Sequence, residues 1–256
     1  MTTAARHLHH ILTQVHEAEG ANVRVRWETV LEANLSSKPF ALRHAAVTSL
    51  WTETVGVIEA LPASPTRDRR LSYVESWWRA IVMPEVHWGD NQRHQIIDQA
   101  SLDMLDTTAE CLEQLDGDTQ IGLPEEALAA LRTQAEEWIA RIQNGGLSRG
   151  LTTSLLEHLN NLVWLIDNAD RLGVAPVIAA AERTTGGLLR TGIATLQPAA
   201  WWQHMTKFVA AITLVAGGLT AVNNVIDHSQ GIYREIEAIV QHQPDPDTPT
   251  ADPNAP

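Results

Sequence analysis

The residues best able to do chemistry here are histidines, of which the chain carries 11. Imidazole binds metals and exchanges protons near neutral pH. Four of them, His7, His9, His10 and His16, fall in one N-terminal segment. His9 and His16 share a helical face there, and His10 turns about 100° away. The apolar stripe of that segment is Leu8, Ile11, Leu12 and Val15, so the histidines are expected at flanking or solvent positions. His87, Asp90 and His94 have better spacing for a metal at the start of a helix. A ligand role for Asp90 competes with its use as the cap of that helix. No cysteine pair or HExxH pattern accompanies them, as zinc sites usually require. Asp116 and Asp118 in "DGDTQ" have the spacing of half a calcium loop, but the later acidic ligand is missing.

Other catalytic signatures are weaker still. There is no GxSxG turn for a serine nucleophile. The single cysteine, Cys111, lies on an apolar stripe and reads as a small core residue. "TTGGLL" has glycines but no following Lys-Ser or Lys-Thr pair, so a phosphate loop is not expected. Gly186 and Gly187 read as the end of a short helix running from about Val177 to Glu182. No cofactor is expected.

Bulk composition sets the class. The chain has 256 residues, 44% hydrophobic and 19% charged, with a formal net charge of -13. That balance fits a folded chain that repels nucleic acid. One cysteine permits no intrachain disulfide, which suits a reducing compartment. The N-terminus lacks the apolar run of a secretion signal. The arginine bias, with Lys38 and Lys207 the only lysines, is typical of GC-rich bacterial genomes.

Apolar residues recur at three- and four-residue steps almost throughout, which predicts an all-α fold. Short loops between successive helices point to an antiparallel multi-helix bundle or stacked helical hairpins. Asn22 is placed to cap a helix bearing Val23, Trp27, Val30 and Leu31, although "VRVRW" also allows a short strand. "SSKP" starts the next helix, with stripe Val47, Leu50, Trp51, Thr54, Ile58 and Leu61. A helix marked by Leu71, Val74, Trp78 and Ile81 should end at Pro84. The one after Asp90 should carry Ile97, Ala100, Met104, Cys111 and Leu115. Leu128, Leu131, Ala135, Trp138 and Ile142 follow, closed by Gly145-Gly146. A longer helix from Ser148 carries Leu151, Leu155, Leu159, Leu162 and Ile166, with Asn161 on its polar side. The expected organisation is a helical subdomain over 1–145, a second over 146–197, a hydrophobic C-terminal helix over 198–240, and a disordered tail rich in Pro, Asp and Thr over 241–256.

The C-terminal helix raises the membrane question. Residues 208–226 hold no charge, and roughly 20 apolar residues cross a bilayer. Trp201 and Trp202 precede them, where an aromatic belt would sit. On a helical wheel, Phe208, Ile212, Val215, Leu219, Val222 and Ile226 fall on one side. Thr206, Thr213, Gly217, Thr220, Asn224 and Asp227 fall on the other. A helix in a soluble core and a helix associating in lipid both look like this. Adjacent tryptophans diverge by about 100°, so one member of Trp77-Trp78 and of Trp201-Trp202 is expected at a domain, partner or lipid contact. The face formed by Trp201, Trp202, Thr213, Gly217, Thr220 and Asn224 is the candidate membrane or oligomer surface.

The reading is therefore a non-catalytic α-helical interaction protein. It is expected to be cytoplasmic for most of its length, with anchoring through 208–226 an option. Its partner would be another protein or a second copy. Two other readings stand beside it: a helical metal-binding protein or metalloenzyme using His87 and His94, and an oligomerising membrane-acting effector.

Overall fold

The computed structural model describes residues 3–82, 96–115, 125–195, 197 and 199–217. Among these the secondary structure is helical, without strands. The helices are α1 (Ala4–Glu17), α2 (Val23–Leu31), α3 (Lys38–Ala60), α4 (Pro65–Leu71), α5 (Val74–Val82) and α6 (Gln99–Leu115). They continue with α7 (Glu125–Asn144), α8 (Arg149–Asp167), α9 (Ala169–Leu172), α10 (Ala175–Ala194) and α11 (Ala199–Gly217).

Short polar side chains set the helix starts. Thr3, Asn22, Ser37 and Ser64 each accept a hydrogen bond from the backbone N–H three residues on. Each satisfies one of the donors that a helix start leaves unpaired. The Asn22 cap settles "VRVRW" as helix, and α2 ends at Glu32 in the left-handed conformation, φ 50°. Pro39 and Pro65 sit in first turns, where a missing N–H costs nothing. After α7, Gly146 takes φ 67° and turns the chain toward α8.

The stripes of α1, α3, α7 and α8 are buried largely as their periodicity predicts. Three segments differ. Helix α6 starts at Gln99, where the Asp98 carboxylate accepts from the Ser101 N–H at 2.8 Å. Its buried face is Leu102, Leu105, Ala109 and Leu112, displaced from the expected one. Cys111 is half-buried and Leu115 is 63% exposed. In α5, Trp77 is buried and Trp78 half-buried, the latter 4.7 Å from the Trp51 ring. Helix α10 runs unbroken through Gly186 and Gly187. A Cβ at Gly187 would stand 3.3 Å from Leu155 Cδ2, so glycine there permits close approach of α8. That packing offsets the roughly 1 kcal/mol cost of a mid-helix glycine.

Helix α1 packs against α2, α3, α6 and α9. Helices α7, α8, α10 and α11 contact one another in a closed ring, α7 to α8, α8 to α10, α10 to α11 and α11 to α7. Contacts of α3 with α8 and of α9 with α8 and α10 join the two groups, and one continuous apolar core runs through both.

Candidate functional site

Helix α11 carries the described part of the candidate face. Trp201 and Trp202 are both buried, 4% exposed each. Their side chains diverge, and α11 has two neighbours, α7 and α10, to receive them. Trp201 meets the Trp138 ring of α7 edge-on, centroids 4.6 Å apart. Both tryptophans also close over Gly192 of α10. A Cβ at Gly192 would fall 2.6 Å from Trp201 Nε1 and 3.1 Å from Trp202 Cη2. The Thr213 hydroxyl donates to its own helix at Val209 O, 3.0 Å away. Gly217 is exposed. Thr220, Asn224, His87, Asp90 and His94 lie outside the described residues.

The aliphatic side of α11 behaves as the helical wheel predicts: Phe208, Ile212 and Val215 are buried. The outward stripe is Gln203, Lys207, Ala210, Leu214 and Gly217. Among the described residues no helix is long and apolar enough to cross a membrane.

The seam between α7 and α11 has an unusual polar content. The Arg141 guanidinium donates through Nη2 to His204 Nε2. The other ring nitrogen, Nδ1, stands 3.8 Å from Glu137 Oε2. Partial burial pushes the His204 imidazolium down in pKa, Arg141 and Lys207 push the same way, and Glu137 opposes them. Behind this group, Trp138 Nε1 and Trp201 Nε1 are buried without a hydrogen-bond partner.

A second polar centre lies where α1, α2 and α9 meet. Arg171 donates to Asn168 Oδ1 (2.7 Å), Gln14 Oε1 (2.5 Å) and Val30 O (3.2 Å). His7 Nδ1 donates to Arg171 O at 3.1 Å, since a carbonyl only accepts. Its ring fills the space over Gly173, which takes φ 77°. His7 is buried, 7% exposed, where the sequence placed the histidines at flanking or solvent positions. Burial holds its pKa below the ordinary value, and the Arg171 carbonyl works weakly the other way. Arg43 donates to Leu31 O (2.7 Å) and Glu32 O (2.8 Å), and its guanidinium lies 4.2 Å over the Trp164 ring. Two cations thus serve the carbonyl end of α2, where helix-dipole charge is negative. Trp164 Nε1 donates to Glu32 Oε2 at 3.1 Å. Elsewhere, Arg6 pairs with Asp106 and Glu113 across α1 and α6, and His44 Nε2 donates to Ile81 O at 3.0 Å.

Chemically, these groups are donors committed to backbone carbonyls and carboxylates of neighbouring helices. Among the described residues no group of three or more His, Cys, Asp or Glu side chains is placed to hold a metal ion. Sequence reading passed over Arg43, Arg141, Arg171 and His204, because their partners are distant in the chain and mostly backbone. Gly192 had a readable signal. With Ala181 and Thr185 it forms a buried small-residue face at helical spacing, which marks close helix approach.

Comparison with known proteins adds no relative: no family model, curated protein or solved structure matches the chain.

Proposed function

We propose that this chain is an all-α interaction protein, acting by association rather than catalysis, and that its helices form an antiparallel bundle presenting the outer side of α11. One observation carries the reading. Four ionisable side chains set between helices, His7, His44, Arg43 and Arg171, each hold a backbone carbonyl of another part of the fold. They are structural fasteners, and that leaves surfaces as the means of action.

The partner we favour is a second copy. The outward stripe of α11, Gln203, Lys207, Ala210, Leu214 and Gly217, holds no carboxylate in a chain of net charge -13. Two such stripes can meet without carboxylate repulsion, and Ala and Gly let backbones come close. Leu214 is 62% exposed there.

Light scattering over a concentration series tests this. The wild type should rise above the 28.2 kDa of one chain, and Leu214→Glu, a change at an exposed site, should remain at it. A mass of one chain for both proteins at every concentration would refute self-association. Stoichiometric metal or turnover of a substrate by the purified protein would refute the non-catalytic reading. Flotation with anionic vesicles tests the membrane contact expected for 208–226.

A further inference from the structure

We propose that the contact of His204 with Arg141 and Glu137 is an acid-sensitive clasp, and that its protonation lets α11 lift from α7. The inference concerns how α11 is seated and stands whether or not the chain self-associates.

The tautomer follows from the neighbours. Arg141 has only donors to offer, so His204 Nε2 presents its lone pair to Arg141 Nη2–H. The ring proton then sits on Nδ1, facing Glu137 Oε2 at 3.8 Å. A second proton can bind only at Nε2, the atom that receives Arg141. Binding it removes the acceptor and sets two cations against each other. Among the described residues no carboxylate lies within ion-pair distance of Arg141 to take over. The charges acting on the ring are Arg141 and Glu137 from α7 and Lys207 from its own helix. From α10, the adjoining tryptophans meet the uncharged Gly192.

The seam is poorly placed to resist. Trp138 Nε1 and Trp201 Nε1 are already buried without partners, and separation gives both access to water. Helix α1 has its own titrating histidine in His7, but it is also held by Arg6 on Asp106 and Glu113 and by Arg171 on Gln14. On α11 the one titrating contact to α7 among the described residues is His204. Lifting α11 would uncover Met205, Phe208, Ile212 and Val215.

Amide hydrogen exchange of the full chain, corrected for intrinsic rates, reads this directly. As pH falls below about 6.5, the opening constant of 199–217 should rise by up to about tenfold per pH unit, the limit for one linked proton. His204→Gln keeps an acceptor but cannot titrate, and it should flatten that rise. The rise begins where the freed imidazole titrates and ends at the lower pH where the clasped one does. Glu137→Gln, a surface change, should extend the rise to lower pH, and Arg141→Gln should end it at higher pH. The proposal is overturned if α11 protection in the wild type does not change with pH. It is equally overturned if His204→Gln shows the same acid loss in 199–217, or if the two neighbour variants change the extent of the rise in the same direction.

Discussion

Gly192 and Gly186 occupy the same helix and offer a matched pair of substitutions with opposite expected outcomes. A methyl at Gly192 would come within 2.6 Å of Trp201 Nε1, 3.0 Å of Trp201 Cδ1 and 3.1 Å of Trp202 Cη2. Both rings are buried, and Trp201 is backed by Trp138, so neither can retreat freely. A methyl at Gly186 meets nothing within 4 Å. Replacing a helical glycine by alanine gains up to about 1 kcal/mol of helix propensity at either site. That gain cancels in the comparison, and the difference isolates the overpacking at Gly192, about 1–3 kcal/mol. For a chain of this size, Gly192→Ala should melt roughly 2–12 °C below Gly186→Ala. Gly186→Ala itself should lie at or above the wild type. Parallel thermal melts and urea titrations measure both. Equal stability of the two variants would show that α10 and α11 are not in close contact at Gly192, and the seating of α11 would have to be redrawn.

Acid should destabilise the fold through its buried histidines. Burial lowers the pKa of His7 and of His44, so below about pH 6.5 the unfolded chain binds protons that the folded chain does not. Stability is then complete above that pH and falls as pH drops, by up to about 1.4 kcal/mol per pH unit for each group. His7→Asn, whose amide can still donate to Arg171 O, should reduce the shift in urea midpoint between pH 7.5 and 5.5. An unchanged shift would remove His7 from the account. Arg171→Ala strands Gln14 Oε1, Asn168 Oδ1 and Val30 O and should cost about 2–4 kcal/mol. Arg132→Ala, which removes only exposed pairs with Glu136 and Asp167, should leave the urea midpoint in place.

The helical class and several helix starts were legible because they are local. An Asn or Ser side chain reaches three residues ahead, so Asn22 and Ser37 announce their helices unaided. Stripes such as Leu128, Leu131, Ala135, Trp138 and Ile142 need only one helix to be seen. The errors came where a second helix decides. On α6, Met104, Cys111 and Leu115 form as regular a stripe as Leu102, Leu105, Ala109 and Leu112, and only the position of α1 selects between them. On α10, two glycines look like a stop until the nearness of Leu155 gives them a use. For Trp201 and Trp202 the sequence left open a domain, partner or lipid contact, and only the two neighbours of α11 decide it. Of the candidate site, the residue types were visible, but the pairing of Arg141 with His204 across 63 positions was not.

The fastening of α1 bears on the order in which the chain can assemble. Gln14 and His7 take their partner, Arg171, from 157 and 164 residues downstream, and Arg6 takes Glu113 from 107 downstream. During synthesis α1 precedes α6 and α9 and cannot be completed until both have followed. Until α9 has left the ribosome, the surface of Leu8, Ile11 and Leu12 must wait without its final cover. That interval is when an N-terminal segment is open to chaperones or to the wrong neighbour. A nascent chain halted before Arg171 is thus a chain whose first helix has nowhere to finish.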